Sequence, residues 1–226
     1  MVDGLNTIFK KYEGFVRQLD EVFDKVREKH PKLVKCKLEC SDCCHALFDL
    51  TLIEAIYINK KFIEELDSKR KNEIISLANK TDRKIYQLKR RAFKAVESGE
   101  KTEEQVLLEM AAERVRCPLL NRENRCELYY SRPATCRIYG VPTSIAGRGH
   151  TCGLSGFAEG EAYPTVNIDA VYAKLHEFSQ EIVAEIQSKH FRMPEVLMPL
   201  SMALVTVFDD EYLGIKKKDE SSEKKK

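Results

Sequence analysis

Eight cysteines gathered into two stretches constrain this 226-residue chain more than any other feature. Cys36, Cys40, Cys43 and Cys44 form one set, and Cys117, Cys126, Cys136 and Cys152 form the other. A chain of this length buries roughly 70% of its unfolded surface, so it can build a core without covalent staples. The beginning of the chain mixes Asp3, Lys10, Lys11 and Glu13 with its apolar residues, unlike a signal peptide. It has no uncharged run of about 18 residues, the length that a membrane-spanning helix needs. The expectation is a cytoplasmic, reducing setting without membrane contact, where clustered cysteines serve as metal ligands or catalytic thiols rather than disulfides.

Thiolate is a soft, charged donor that suits zinc and cluster iron alike. Two sets of four match the needs of Zn(Cys)4 or of a four-thiolate cluster such as [4Fe–4S]. Side chains of adjacent residues diverge. Cys43 and Cys44 therefore serve different centres, or one of them is a spare or reactive thiol. His45 and His150 stand beside cysteines and could replace a thiolate on zinc, although an ordinary exposed or core histidine is the simpler reading.

The remaining chain reads as helix. Leu5, Ile8, Phe9, Tyr12, Phe15, Val16, Leu19, Val22, Phe23 and Val26 repeat at helical spacing up to Pro31. Thr51 with Glu54 forms a capping box opening a helix through Leu66. A long helical pattern runs from Lys69 to Glu97 and is broken by Ser98–Gly99. Thr102 with Gln105 then caps a helix to Arg116. Glycines and prolines make 117–163 irregular. Helices resume at about Asn167 and again over Pro199–Phe208, and no alternating strand pattern stands out. The expected fold is all-α, mainly helical, with helices around an irregular cysteine-rich knot. Residues 1–213 form one metal-binding domain, with cysteine segments at 36–44 and 117–152. A disordered lysine-rich tail covers 214–226.

The second cysteine segment reads Cys117-Pro118-Leu119-Leu120, then Cys126-Glu127-Leu128-Tyr129-Tyr130-Ser131-Arg132-Pro133-Ala134-Thr135-Cys136-Arg137-Ile138-Tyr139. It resembles the YkgJ-like cysteine-cluster family, named CxxCxxCC for its first motif and described as chelating zinc or iron through eight cysteines. Cys36, Cys40, Cys43 and Cys44 match that first motif with one departure. Three residues, Lys37 to Glu39, separate the first two cysteines where the family has two, which makes Cys36 the least anchored ligand. The resemblance runs from Cys36 to Cys152 and implies metal binding more firmly than any reaction. Arg132 and Arg137 flank Cys136, where a guanidinium can offset thiolate charge or donate to sulfur. Tyr129 and Tyr139 are expected to pack the knot.

An enzymatic alternative stays open. The cysteine pattern also resembles the flagellin lysine-N-methylase family, which implies an iron–sulfur enzyme and a SAM-dependent protein lysine methyltransferase. The Cys36-x3-Cys40-x2-Cys43 spacing is that of radical-SAM clusters, but the strand–helix alternation of their barrels is missing. Gly147–Gly153 lacks the strand and helix that would make it a nucleotide loop. Net charge is +2, with six lysines against three acids in Lys216–Lys226, so the rest of the chain is near neutral and nucleic acid is not expected as a partner. Arg83, Lys84, Lys89, Arg90, Arg91 and Lys94 read as a solvated helix face. The partners implied are a metal ion and, without identification, another protein.

Overall fold

The computed structural model describes residues 3–37, 40–158 and 160–215. The mainly helical expectation holds. Among the described residues there are seven α-helices: α1 (Asn6–Lys29), α2 (Leu52–Glu65), α3 (Ser68–Glu97), α4 (Glu103–Ala112), α5 (Ala134–Ile138), α6 (Ile168–Glu185) and α7 (Leu200–Val205). Five strands of two or three residues accompany them: β1 (Asp49–Thr51), β2 (Thr143–Ile145), β3 (Arg148–His150), β4 (Val166–Asn167) and β5 (Leu197–Pro199). The lysine-rich tail from 216 onward lies outside the described residues. Gly214 and Ile215 are still tied in: the Gly214 carbonyl accepts the Lys189 amide at 3.0 Å, and the Ile215 amide donates to Asp210 at 2.9 Å.

α2 is the central element because its sequence is apolar on two sides. Ile53, Ile56 and Tyr57 join a core with Ile8, Phe9, Tyr12 and Val16 of α1 and Leu175, Phe178 and Ile182 of α6. Ala55, Ile58 and Phe62 join a second core with Ile74 and Ala78 of α3, Ala203 and Leu204 of α7, and the loop residues Leu119 and Leu128. A helix apolar all round is stable only when covered all round, and burying each large side chain contributes about 1.5–3 kcal/mol. Tyr12 and Tyr57 meet edge to face at 5.0 Å.

Two buried polar groups of α2 find partners on α6 and α7. The Ile53 amide donates to Ser179 Oγ at 3.2 Å, and Asn59 Nδ2 donates to the Ala203 and Thr206 carbonyls at the end of α7 at 2.9 and 3.1 Å. β1 pairs antiparallel with β5 and so joins the entry of α2 to the entry of α7.

Two local expectations fail for identifiable reasons. α4 stops at Ala112, before Arg116, because the chain beyond it pairs as an extended segment: Val115 N donates to His45 O at 2.9 Å and Cys117 N to Cys44 O at 2.7 Å. The irregular 117–163 segment contains α5 and a β2–β3 hairpin, which pairs Thr143 with His150 and Ile145 with Arg148. Its two-residue turn places Ala146 at φ 49° and Gly147 at φ 76°. Positive φ at both positions matches the twist of hairpin strands. The usual Asn-Gly signal is absent, so the turn could not be read from the sequence. The Gly147–Gly153 run thus begins as a hairpin turn.

Glu54 is buried, at 3% exposure, and ties this body to the cysteine segments. Its Oε2 accepts the Thr51 amide at 3.2 Å and the Thr51 hydroxyl at 2.9 Å. Its Oε1 accepts the Ala134 amide, the first of α5, at 2.9 Å. Hydrogen bonds contribute about 1 kcal/mol each, so losing all three in Glu54→Ala should destabilise the chain by about 3 kcal/mol in urea denaturation. Burial nevertheless holds this carboxyl above the usual 4.5, with the three donors opposing the shift. The folded chain then keeps a proton that the unfolded chain has lost. Stability relative to Glu54→Gln should be flat below about pH 4.5 and fall as pH rises through the elevated value. A relative stability that climbs across that window would show that the carboxylate, not the acid, is the favoured buried form.

Candidate metal centre

All eight cysteines are free thiols, and backbone pairing brings them together. The Cys44–Ala46 stretch runs antiparallel to Arg114–Cys117, through an Ala46–Arg114 bridge and the two amide bonds given above. A second small ladder, Leu120 against Cys126 with Glu127 N donating to Leu119 O at 2.9 Å, folds Cys126 back beside Cys117. Asn121 Oδ1 holds that turn by accepting the Glu123 and Arg125 amides at 3.0 and 2.8 Å. Cys136 rides on α5, whose first amide Glu54 fixes. Cys36 donates from Sγ to the Tyr139 carbonyl at 3.4 Å, and Cys152 donates to Asp42 Oδ2 at 3.7 Å.

Neighbours in space do not follow order in sequence. Cys36 contacts Cys40 and lies within electrostatic reach of Cys43 and Cys152. Cys44 and Cys136 both contact Cys43, and both lie within electrostatic reach of Cys117 and Cys126. Cys43 therefore stands at the junction, with its sulfur 4.0 Å from that of Cys44. Among the described residues, no three cysteine, histidine, aspartate or glutamate side chains are drawn into a cage ready for a metal ion. The sulfurs hydrogen-bond to one another and to backbone amides instead.

Amides are aimed at several of these sulfurs. The Leu154 N–H lies 3.4 Å from Cys152 Sγ. Leu119 and Leu120 amides face the Cys117 sulfur, and the Leu128 amide faces Cys126. Such donors favour thiolate over thiol, but burial opposes them. Burial first, and Cys126 second, push Cys117 up to about 12; burial and Cys40 do the same for Cys36. Cys43 is the exception. Hydrogen bonds from Cys136 and Cys44, aided by the charge of Arg132, hold it well below the ordinary thiol value, while those two neighbours are raised. The protein's own charges thus stabilise one thiolate at the junction and leave the buried thiols around it protonated. A divalent cation would reverse that preference. The donor set, soft sulfur with amides directed at it, fits zinc or iron.

The two arginines flanking Cys136 have different surroundings. Arg132 stacks with Cζ 3.8 Å from the Tyr129 ring centroid, donates from Nε to Tyr129 O at 2.9 Å, and favours the thiolates of Cys43 and Cys126. Arg137 is buried, and its donors go to Arg132 O at 2.8 Å, Tyr130 O at 2.6 Å and Asp20 of α1. His45 Nδ1 lies 2.9 Å from the Ser41 carbonyl, and His150 is an exposed residue of β3.

Three contributors escaped the sequence reading. Asp42 accepts from the Tyr139 hydroxyl at 2.9 Å, from Cys152 and from Arg114, so it orders the chain around the outer sulfurs. Its place between Cys40 and Cys43 was the available signal. Arg114 left none beyond its closeness to Cys117. Gly140 is the third, at φ +102°: a Cβ there would meet Cys36 Sγ at 2.7 Å.

Residues 35–153, more than half of the chain, match the family model CxxCxxCC, described as a "putative zinc- or iron-chelating domain". The chain belongs to this family, and its match takes in all eight cysteines. No curated protein and no solved structure matches the chain. Within the described residues, no helix is long and apolar enough to cross a membrane.

Gly140 gives a direct test of the packing at Cys36. Alanine at a strained positive φ costs about 2 kcal/mol before the clash with sulfur is counted. Gly140→Ala should lower stability by at least that much in urea denaturation and expose the Cys36 thiol to alkylation. Gly149→Ala is the control, because nothing lies within 4 Å of its Cβ position. Equal stability of the two variants would refute the close approach.

Proposed function

We propose, from membership of the CxxCxxCC family, that the chain holds two metal ions in two interleaved four-thiolate sets. The inner set is Cys44, Cys117, Cys126 and Cys136; the outer set is Cys36, Cys40, Cys43 and Cys152. The observation that carries the reading is the group of backbone amides aimed at Cys117, Cys126 and Cys152, which suit sulfur as anion rather than as thiol. The neighbours of Cys36, Cys44 and Cys136 support the partition; Cys43 touches both groups and is assigned to the outer set because Cys44, Cys117, Cys126 and Cys136 already make four.

The bound ion, zinc or iron, supplies positive charge that keeps four buried sulfurs ionised together. The chain's own residues do the rest. Leu119, Leu120 and Leu128 amides orient the inner sulfurs, Arg132 offsets their charge, and Asp42 with Tyr139 orders the outer loop. Arg137 acts as a positioning residue, riveting the Tyr130–Arg132 carbonyls to α1 through Asp20. Because each thiol must lose its proton, metal affinity should rise with pH as the thiols' protons become easier to displace.

Stoichiometry tests this reading. Full-length protein reconstituted anaerobically with zinc should carry about two ions per chain by ligand count. Cys117→Ser and Cys40→Ser should each keep about one, and the double variant close to none, since serine is a poor donor to soft metal. Elemental analysis showing less than about one ion on the wild type, or both ions lost in either single variant, would overturn the partition.

A further inference from the structure

We propose that the two sets differ in access, the outer one being a metal-exchange site reached through a cleft beside α1 and the inner one being the more enclosed. The inference rests on the two-set reading. It starts from a difference in the space around the sulfurs. A cleft of about 470 Å³ is bounded by Asp20, Phe23, Asp24 and Arg27 of α1 and opens onto three sulfurs of the outer set, Cys36, Cys40 and Cys43, but onto Cys136 alone of the inner set. The cavity at the inner sulfurs is only about 50 Å³ and is walled by Ile58, Ile85, Val115, Leu119 and Leu128. The first falls in the range of small-molecule sites, roughly 300–1,000 Å³, and the second is far below it.

Charge selects the class of ligand. Within the cleft, Asp20 is paired with Arg137 and Asp24 with Arg27. Lys37 and Arg132, which also line it, have no carboxylate partner among the ion pairs of the described residues. A small anionic chelate with sulfur or carboxylate donors therefore fits best. In the exchange step, a lone pair of the incoming donor forms a bond to the metal as a cysteine sulfur leaves with its own pair, later taking a proton from water. The metal stays divalent, so no oxidant or reductant is needed. Cys36 is the ligand placed to leave first. It comes from the stretch with the extra residue before Cys40, and its sulfur is held by a bond of 3.4 Å to the Tyr139 carbonyl and by Cys40, itself an outer ligand. Cys117, by contrast, is locked by its own amide to Cys44 O at 2.7 Å.

The test is release of zinc from the fully loaded, full-length chain into excess 4-(2-pyridylazo)resorcinol under anaerobic conditions. Two phases of equal amplitude are expected, separated by roughly tenfold or more in rate, equivalent to about 1.4 kcal/mol in barrier. Cys40→Ser should remove the fast phase alone. Asp24→Trp, an exposed rim position outside the ligand sets, should slow the fast phase severalfold and leave both the slow phase and the stoichiometry unchanged. A chelator fixed to resin beads too large for the cleft should likewise lose the fast advantage. One phase carrying both ions, a fast phase lost in Cys117→Ser, or indifference to both Asp24→Trp and bead attachment would overturn the exchange route while leaving two-site binding intact. Failure to load zinc at all would instead remove the two-set reading beneath it.

Discussion

The buried carboxylate of Glu54 is the joint on which the rest depends. It closes the first turn of α2 through Thr51 and accepts the leading amide of α5, so one side chain sets both the central helix and the segment carrying Cys136. A buried carboxyl left without partners would cost about 1–3 kcal/mol. Three donors satisfy this one, and they can do so only if α5 is seated against α2. Arg137, one residue beyond Cys136, repeats the logic toward α1 through Asp20. The sulfur of Cys136 is therefore positioned by two polar anchors on two different helices, which a purely apolar contact could not do with the same directionality.

The helical body was legible because its signals are local. Both capping boxes are present as the sequence indicates, at Thr51–Glu54 and Thr102–Gln105. The break after α3 also falls where Gly99 supplies φ 72°. The apolar repeat of α1 puts Ile8, Tyr12, Val16 and Leu19 inside, as its spacing requires. The basic positions on α3, Arg83 and Arg90 among them, are exposed. What could not be read is long-range pairing. The match of Cys44–Ala46 to Arg114–Cys117 depends on backbone groups more than 65 residues apart in a stretch with no strand periodicity. The end of α4 was misplaced for the same reason. A tertiary ladder takes the residues that helix propensity would have kept.

The same limit applies to the cysteines. Sequence distance groups them as an early four and a late four, whereas Cys152 lies beside Cys36 through Asp42 and Tyr139. Adjacency of Cys43 and Cys44 suggests divergent side chains, yet their sulfurs lie 4.0 Å apart. The return of Cys152 past Cys36 depends on the β2–β3 hairpin, whose Ala146-Gly147 turn carries no strong sequence mark, and on Gly140, whose lack of a Cβ admits the Cys36 sulfur. Neither can be inferred from cysteine spacing.

Irregular chain around the sulfurs follows from the chemistry they require. An amide inside a helix or strand is already committed to a backbone carbonyl, so it has no hydrogen bond left for a thiolate. The amides of Leu119, Leu128 and Leu154, which face Cys117, Cys126 and Cys152, come from turns, where the chain after each cysteine bends back and leaves an N–H group aimed at the preceding sulfur, while the Leu120 amide is shared with the Cys117 carbonyl. Such turns have few backbone bonds of their own and cannot hold their shape unaided. The packed helices supply the missing rigidity from outside, through Glu54, Asp20 and the apolar seats of Leu119 and Leu128 in the second core. A mainly helical protein with loops at its chemical centre is thus the economical arrangement: regular structure satisfies its own amides and gives stiffness, and irregular structure leaves amides free for sulfur.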